Sequence, residues 1–172
     1  MMMTNKANNN INIDIHINKE DEARERAFRF LGYKARTKAE VARKLAEKGY
    51  DEATITRVID MLAGYGYIDD EKYAMEYVKS RTESKRYGKL RIKQELRERG
   101  ISDALIEQAL AESTADEPAM ALAHLEKKTH GNTDLDEKEK RRCFDYLMRR
   151  GFTYETARQA IRQYCFVNRR KV

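Results

Sequence analysis

Turn-forming residues are scarce, with one proline and eight glycines in 172 residues. All-β architectures need many tight turns, so they are disfavoured. Tryptophan is absent and there are two cysteines, Cys143 and Cys165. Two thiols make neither a disulfide framework nor a four-cysteine zinc site. No apolar run reaches the roughly 18 residues of a membrane-crossing helix. No compact apolar stretch stands behind basic residues as in a secretory signal. No glycine-rich loop leads into a phosphate-binding lysine, and no metal-ligand spacing occurs. Charge is abundant instead: 37% of residues are Asp, Glu, Lys or Arg, 41% are hydrophobic, and the net charge is +6. The hydrophobic share supports a packed core. The charge suits the outer faces of helices. The expectation is a soluble, cytoplasmic, all-α protein without cofactor, metal or membrane partner.

The N-terminus departs from this pattern. Residues 1–18 are rich in Asn, and Ile11, Ile13, Ile15 and Ile17 alternate with polar residues. Alternation is a strand signal, but a lone strand in a helical chain is not stable. Residues 1–18 therefore read as a disordered tail, the alternative being a strand that pairs with a partner or with itself.

A 51-residue period organises the remainder. Gly49, Gly100 and Gly151 are spaced by 51, and their flanks agree. Four residues earlier stand Leu45, Leu96 and Leu147; eight earlier, Val41, Ile92 and Cys143. One residue later come Tyr50, Ile101 and Phe152, and two later Asp51, Ser102 and Thr153. Apolar residues one turn apart mark a helix face. Gly accepts the left-handed conformation that ends a helix, and Asp, Ser or Thr caps the next one. Thr37 with Glu40 and Asp136 with Glu139 have capping-box spacing. A further helix precedes each pair, near residues 20–33, from Asp69, and from Asp116–Pro118. Fixed-period similarity signals stacked supersecondary units. The predicted fold is an elongated tandem of three three-helix modules, at 19–66, 67–113 and 114–172.

Charge is segregated along the chain. Residues 85–100 hold seven basic and two acidic side chains, net +5, and residues 138–172 hold eleven and three, net +8. Between them, residues 101–137 hold two basic and nine acidic, net −7. On a helix at about 100° per residue, Arg86, Lys89, Lys93 and Arg97 fall on one flank. Lys138, Arg142 and Arg149 share a face of the next-to-last helix, and Arg158, Arg162 and Arg169 a face of the last. Such stripes can follow phosphates through charge and counterion release; a solvated helix face has the same composition. No catalytic constellation stands out. His124 and His130 lie in or beside a linker, and Cys143 holds a core position of the repeat. Asp69, Asp70 and Glu71 suit the positive end of a helix.

The run Gly66-Tyr67-Ile68-Asp69-Asp70, followed by Tyr73-Ala74, Val78, Arg81, Gly88, Ile92, Glu95-Leu96 and Gly100-Ile101, resembles the signature of the RecX regulatory proteins, and the resemblance covers roughly residues 20–167. Tyr73 stands where the family more often has Phe. The resemblance implies tandem three-helix repeats and a non-enzymatic role. It implies binding to the RecA recombinase filament on DNA and modulation of recombinase activity, in the inhibitory direction. The setting it implies is DNA repair, homologous recombination and the SOS response. The candidate DNA- or recombinase-binding residues are the basic stripes above and Arg81, for which pairing with a nearby acid is the alternative; a monomer is expected. Two other readings stay open at this level. One is a helical protein that coats single- or double-stranded DNA non-specifically, without the recombinase. The other is a thiol-dependent enzyme using Cys165.

Overall fold

The computed structural model describes residues 19–167. The Ile-alternating segment 1–18 and Arg169 lie outside the described residues. Within them the chain forms nine α-helices and no strand. These are α1 (19–31), α2 (Lys38–Ala46), α3 (Glu52–Gly64), α4 (Asp70–Ser80), α5 (Lys89–Glu98), α6 (Asp103–Ala111), α7 (Glu117–Thr129), α8 (Glu137–Arg149) and α9 (Tyr154–Val167). A π-helical turn, Arg81–Lys85, extends α4. The architecture is all-α, with the helices in consecutive threes.

Local chemistry sets the helix ends. Asp51, Ser102 and Thr153 each accept a hydrogen bond from the backbone N–H three residues on, at 3.0, 3.4 and 3.1 Å. Thr37 with Glu40 and Asp136 with Glu139 form complete capping boxes. Each such cap satisfies donors that the first turn leaves open, contributing about 1 kcal/mol. The apolar positions of the repeat point inward: Leu45, Leu96 and Leu147 are 1%, 0% and 0% exposed.

The described chain gathers into two compact units. The first runs to Tyr73 and includes the turn Arg99–Ile101. Its core holds Ala23, Ala27, Val41, Leu45, Val58, Leu62 and Ile68. The second comprises Ala74–Glu98 and Ser102 onward. In its third-module core Leu125, Cys143, Leu147, Phe152, Ala157 and Tyr164 pack together.

One joint occurs in each unit, and the two match. In the first unit, Thr37 Oγ1 donates to the Arg99 carbonyl at 2.6 Å, and the Lys38 N–H donates to Asp70 Oδ1 at 2.9 Å. In the second, the Gly88 N–H donates to the Arg150 carbonyl at 3.0 Å, and the Lys89 N–H donates to Glu117 Oε1 at 2.6 Å. Thr37 and Gly88 are 51 residues apart, as are Lys38 and Lys89, and Arg99 and Arg150. In both joints a carboxylate at the first residue of one helix caps the start of another. Gly100 (φ +79°) and Gly151 (φ +88°) are required twice over. Their conformation excludes most side chains, and an added Cβ would come within 2.2 Å of Ala39 Cβ or 2.3 Å of Arg91 Cβ.

Candidate functional site

The basic residues of the second module are largely engaged within the molecule. Lys93 pairs with Glu107. Arg97 Nε donates to Asp103 Oδ1 at 2.6 Å, and Lys89 Nζ lies 3.9 Å from Glu117. Arg81 sits 3.3 Å from Glu95 Oε2 and donates to the Tyr77 hydroxyl at 3.0 Å. Tyr77 in turn donates to Glu95 at 2.8 Å, and Arg91 donates to the same carboxylate at 3.0 Å. Burial alone would raise the Glu95 carboxyl. The hydrogen bonds from Arg91 and Tyr77 and the charges of Arg81 and Arg91 outweigh that and hold it below the ordinary value. Arg81 is thus part of a half-buried knot that fastens α4 to α5.

The expected flank of Arg86, Lys89, Lys93 and Arg97 is not one helix face. The Thr82 and Ser84 hydroxyls donate to the Val78 and Ser80 carbonyls, within a turn that has already loosened to π-helical geometry. Arg86 then takes a left-handed conformation (φ 51°, ψ 42°), and α5 starts afresh at Lys89. Continuing a helix backwards from Lys89 therefore misplaces Arg86.

The reason for that break involves a residue the sequence had placed in or beside a linker. His124 lies inside α7 and is buried. Its Nε2–H donates to the Arg86 carbonyl at 2.9 Å, a bond that assigns the tautomer because a carbonyl can only accept. Nδ1 then accepts from the Tyr146 hydroxyl at 3.1 Å. Burial pushes the imidazole below its usual range, and the Arg150, Arg86 and Lys127 charges act the same way against the bond to Arg86. His124 is a neutral brace for the Arg86 turn. A helical register through Ala121 and Leu125 would have placed it on α7.

The third module presents its cations differently. Lys138, Arg142 and Arg149 on α8 and Arg158 and Arg162 on α9 are exposed, and none pairs with a carboxylate among the described residues. A shallow groove between the two helices is lined by Lys138, Arg158, Phe144 and Ile161, together with the Lys140–Glu137 ion pair. Arg141, outside the stripes read from the sequence, lines the same groove. Tyr154, 59% exposed, meets Phe144 edge-on at 5.2 Å. Cationic side chains beside an aromatic ring suit an anionic partner with flat or apolar groups. Arg142, Arg149 and Arg162 lie outside the groove.

Cys143 is buried, with its thiol raised by burial, and Cys165 is half-buried. Among the described residues no group of three or more His, Cys, Asp or Glu is placed to hold a metal ion, and no helix is long and apolar enough to cross a membrane.

By class this is a tandem three-helix-repeat protein with an open cationic groove in its last module. Three family profiles match it consecutively: RecX first three-helix domain at residues 23–62, second at 69–110 and third at 115–161. A regulatory protein RecX of Halorhodospira halophila is 36% identical over 140 residues, which are 81% of this chain and 86% of the relative. One from Mycobacterium sp. (strain KMS) is 35% identical over 150 residues, covering 84% and 82%. The chain belongs to the RecX family of regulatory proteins. The crystal structure of RecX from Lactobacillus salivarius shares the fold, with a TM-score of 0.77 at 24% identity over 86% of this chain and 97% of that one.

Proposed function

We propose that this protein binds the RecA recombinase filament on DNA and limits its activity, and that the α8–α9 groove makes the contact with phosphate or acidic protein surface. The carrying observation is the presence of unpaired Lys138, Arg141 and Arg158 in one groove with Phe144 and Ile161. Exposed cations without internal partners are free to exchange counterions for a polyanion. Family membership supplies the recombinase as partner. On this reading the protein is a non-enzymatic, cytoplasmic monomer with modules bounded at 19–66, 67–113 and 114–172. The test is RecA-catalysed ATP hydrolysis and strand exchange titrated with the protein. A dose-dependent fall in both is expected; no change in either would overturn the proposal. A gel-shift series on single- and double-stranded DNA without RecA identifies a protein that coats DNA by itself.

A further inference from the structure

We propose that an apolar groove between α4 and α7, in the second compact unit, docks a basic amphipathic helix of a partner protein. The inference concerns a surface separate from the α8–α9 groove and does not depend on the recombinase reading. The cavity is about 650 Å³, within the range of roughly 300–1,000 Å³ typical of occupied sites. Val78, Ala109 and Met120 line it, and Met75, 39% exposed, stands at its edge. Ala119 and Ala123 form the α7 wall one turn apart. Those two positions carry nothing beyond Cβ, so another backbone can approach closely. A groove walled by two helices takes an apolar helical ridge of side chains at i, i+3 and i+4.

The rim selects the sign of the occupant. Glu76, Glu83, Glu112 and Asp116 border the groove, against Lys79 and Arg86. Glu76 and Glu83 make no ion pair with any described residue. Asp116 caps the Ala119 N–H through Oδ1, and Glu112 accepts only a 3.4 Å bond from Gln108. These last two belong to the acidic segment 101–137, whose Asp103, Glu107 and Glu117 are taken by Arg97, Lys93 and Lys89. Two carboxylates of that segment, Glu112 and Asp116, thus stand with Glu76 and Glu83 at an apolar mouth. A nucleic acid backbone is repelled there, and a Lys- or Arg-flanked apolar helix is complementary in both charge and surface.

The test uses the full chain and two fluorescein-labelled 18-residue peptides. One is built from Leu, Ala and Lys in an amphipathic helical pattern, the other carries Glu in place of Lys. The Lys peptide should bind saturably at one site in the micromolar range, and the Glu peptide about tenfold or more weaker. Ala119→Trp fills the groove from an exposed position and should weaken the Lys peptide about tenfold. Glu76→Lys with Glu83→Lys should do the same and improve the Glu peptide, with an unchanged melt, since both sites are exposed helix surface. Lys-peptide binding insensitive to both variants would mean general charge attraction and overturn the proposal, as would no binding. Sedimentation equilibrium gives the remaining outcome: a concentration-dependent dimer abolished by Ala119→Trp would make the occupant a second copy, against the proposal.

Discussion

The second and third modules carry similar numbers of basic side chains and use them oppositely. In the second, Lys89, Lys93, Arg97 and Arg81 reach carboxylates on α5, α6 or α7. In the third, Lys138, Arg142, Arg149, Arg158 and Arg162 face solvent without a described partner. The difference lies in what stands opposite. The acidic residues at 103, 107 and 117 pair with Arg97, Lys93 and Lys89 of the second module, while on α8 and α9 Lys140 takes Glu137 and the stripe cations have no ion-pair partner among the described residues. Both are basic stripes at helical spacing. Availability to an outside anion differs, because exposed pairs tie up cations even where they add little stability.

The comparison is broken most directly in the third module. Changing Lys138, Arg141 and Arg158 together to Gln should reduce affinity for the RecA–DNA filament about a hundredfold, equivalent to about 2.7 kcal/mol. The slope of log affinity against log salt should flatten by roughly 0.7–0.9 for each lost phosphate contact. The melting curve should stay close to the parent. Affinity lost with an unchanged salt slope would move the contact from phosphate to protein.

The next effect belongs to the second module and should appear in stability. Glu95→Ala leaves Arg81 and Arg91 without the carboxylate that both use. A cost of about 1–3 kcal/mol in urea unfolding is expected, with filament affinity unchanged while the chain is folded. An unchanged unfolding midpoint would show that the knot is not structural. Smaller still is the double change Lys93→Gln and Arg97→Gln. About 0.5 kcal/mol or less per site is expected, and an affinity change under about threefold. A large loss of affinity here, measured by filament titration, would return the second module to the binding surface.

The smallest effect is one of pH. The His124 imidazole is held below its ordinary value of 6.5, by burial first. In the window below 6.5 and above the folded-state value, the unfolded chain binds more protons than the folded one. Stability is therefore complete above that window and falls as pH drops through it. The fall should be shallower in His124→Gln, read as melting temperature from pH 7.5 to 5. Parallel profiles for parent and variant would remove His124 as the brace of the Arg86 turn.

Much of the fold was legible because its determinants are local. A glycine every 51 residues, a capping residue two positions later and an apolar pair before it describe helix ends and inward faces without reference to the rest of the chain. Cys143 at a core position followed from the same alignment. The candidate surface was less legible. Helical spacing nominated Lys138 and Arg158, which share the groove, and equally Arg86, Lys93 and Arg97, whose surroundings depend on other helices. Arg141 was missed because it belongs to no stripe and joins the groove only through the packing of α8 on α9. Asp70 was read as favouring its own helix and stands in the first turn of α4; that its side chain also caps Lys38, at the start of α2, was not legible.

The sequence by itself determined the helices, their caps, the three-fold repetition and the residues that face the core, since hydrogen bonding within a few residues and burial along one helix face are written at short range. Tertiary structure alone decided which cations find a carboxylate, where the Arg86 turn breaks the expected stripe, and why Gly100 and Gly151 admit no side chain. Each of those depends on groups dozens of residues apart brought within bonding distance, and charge or volume at that distance follows from packing.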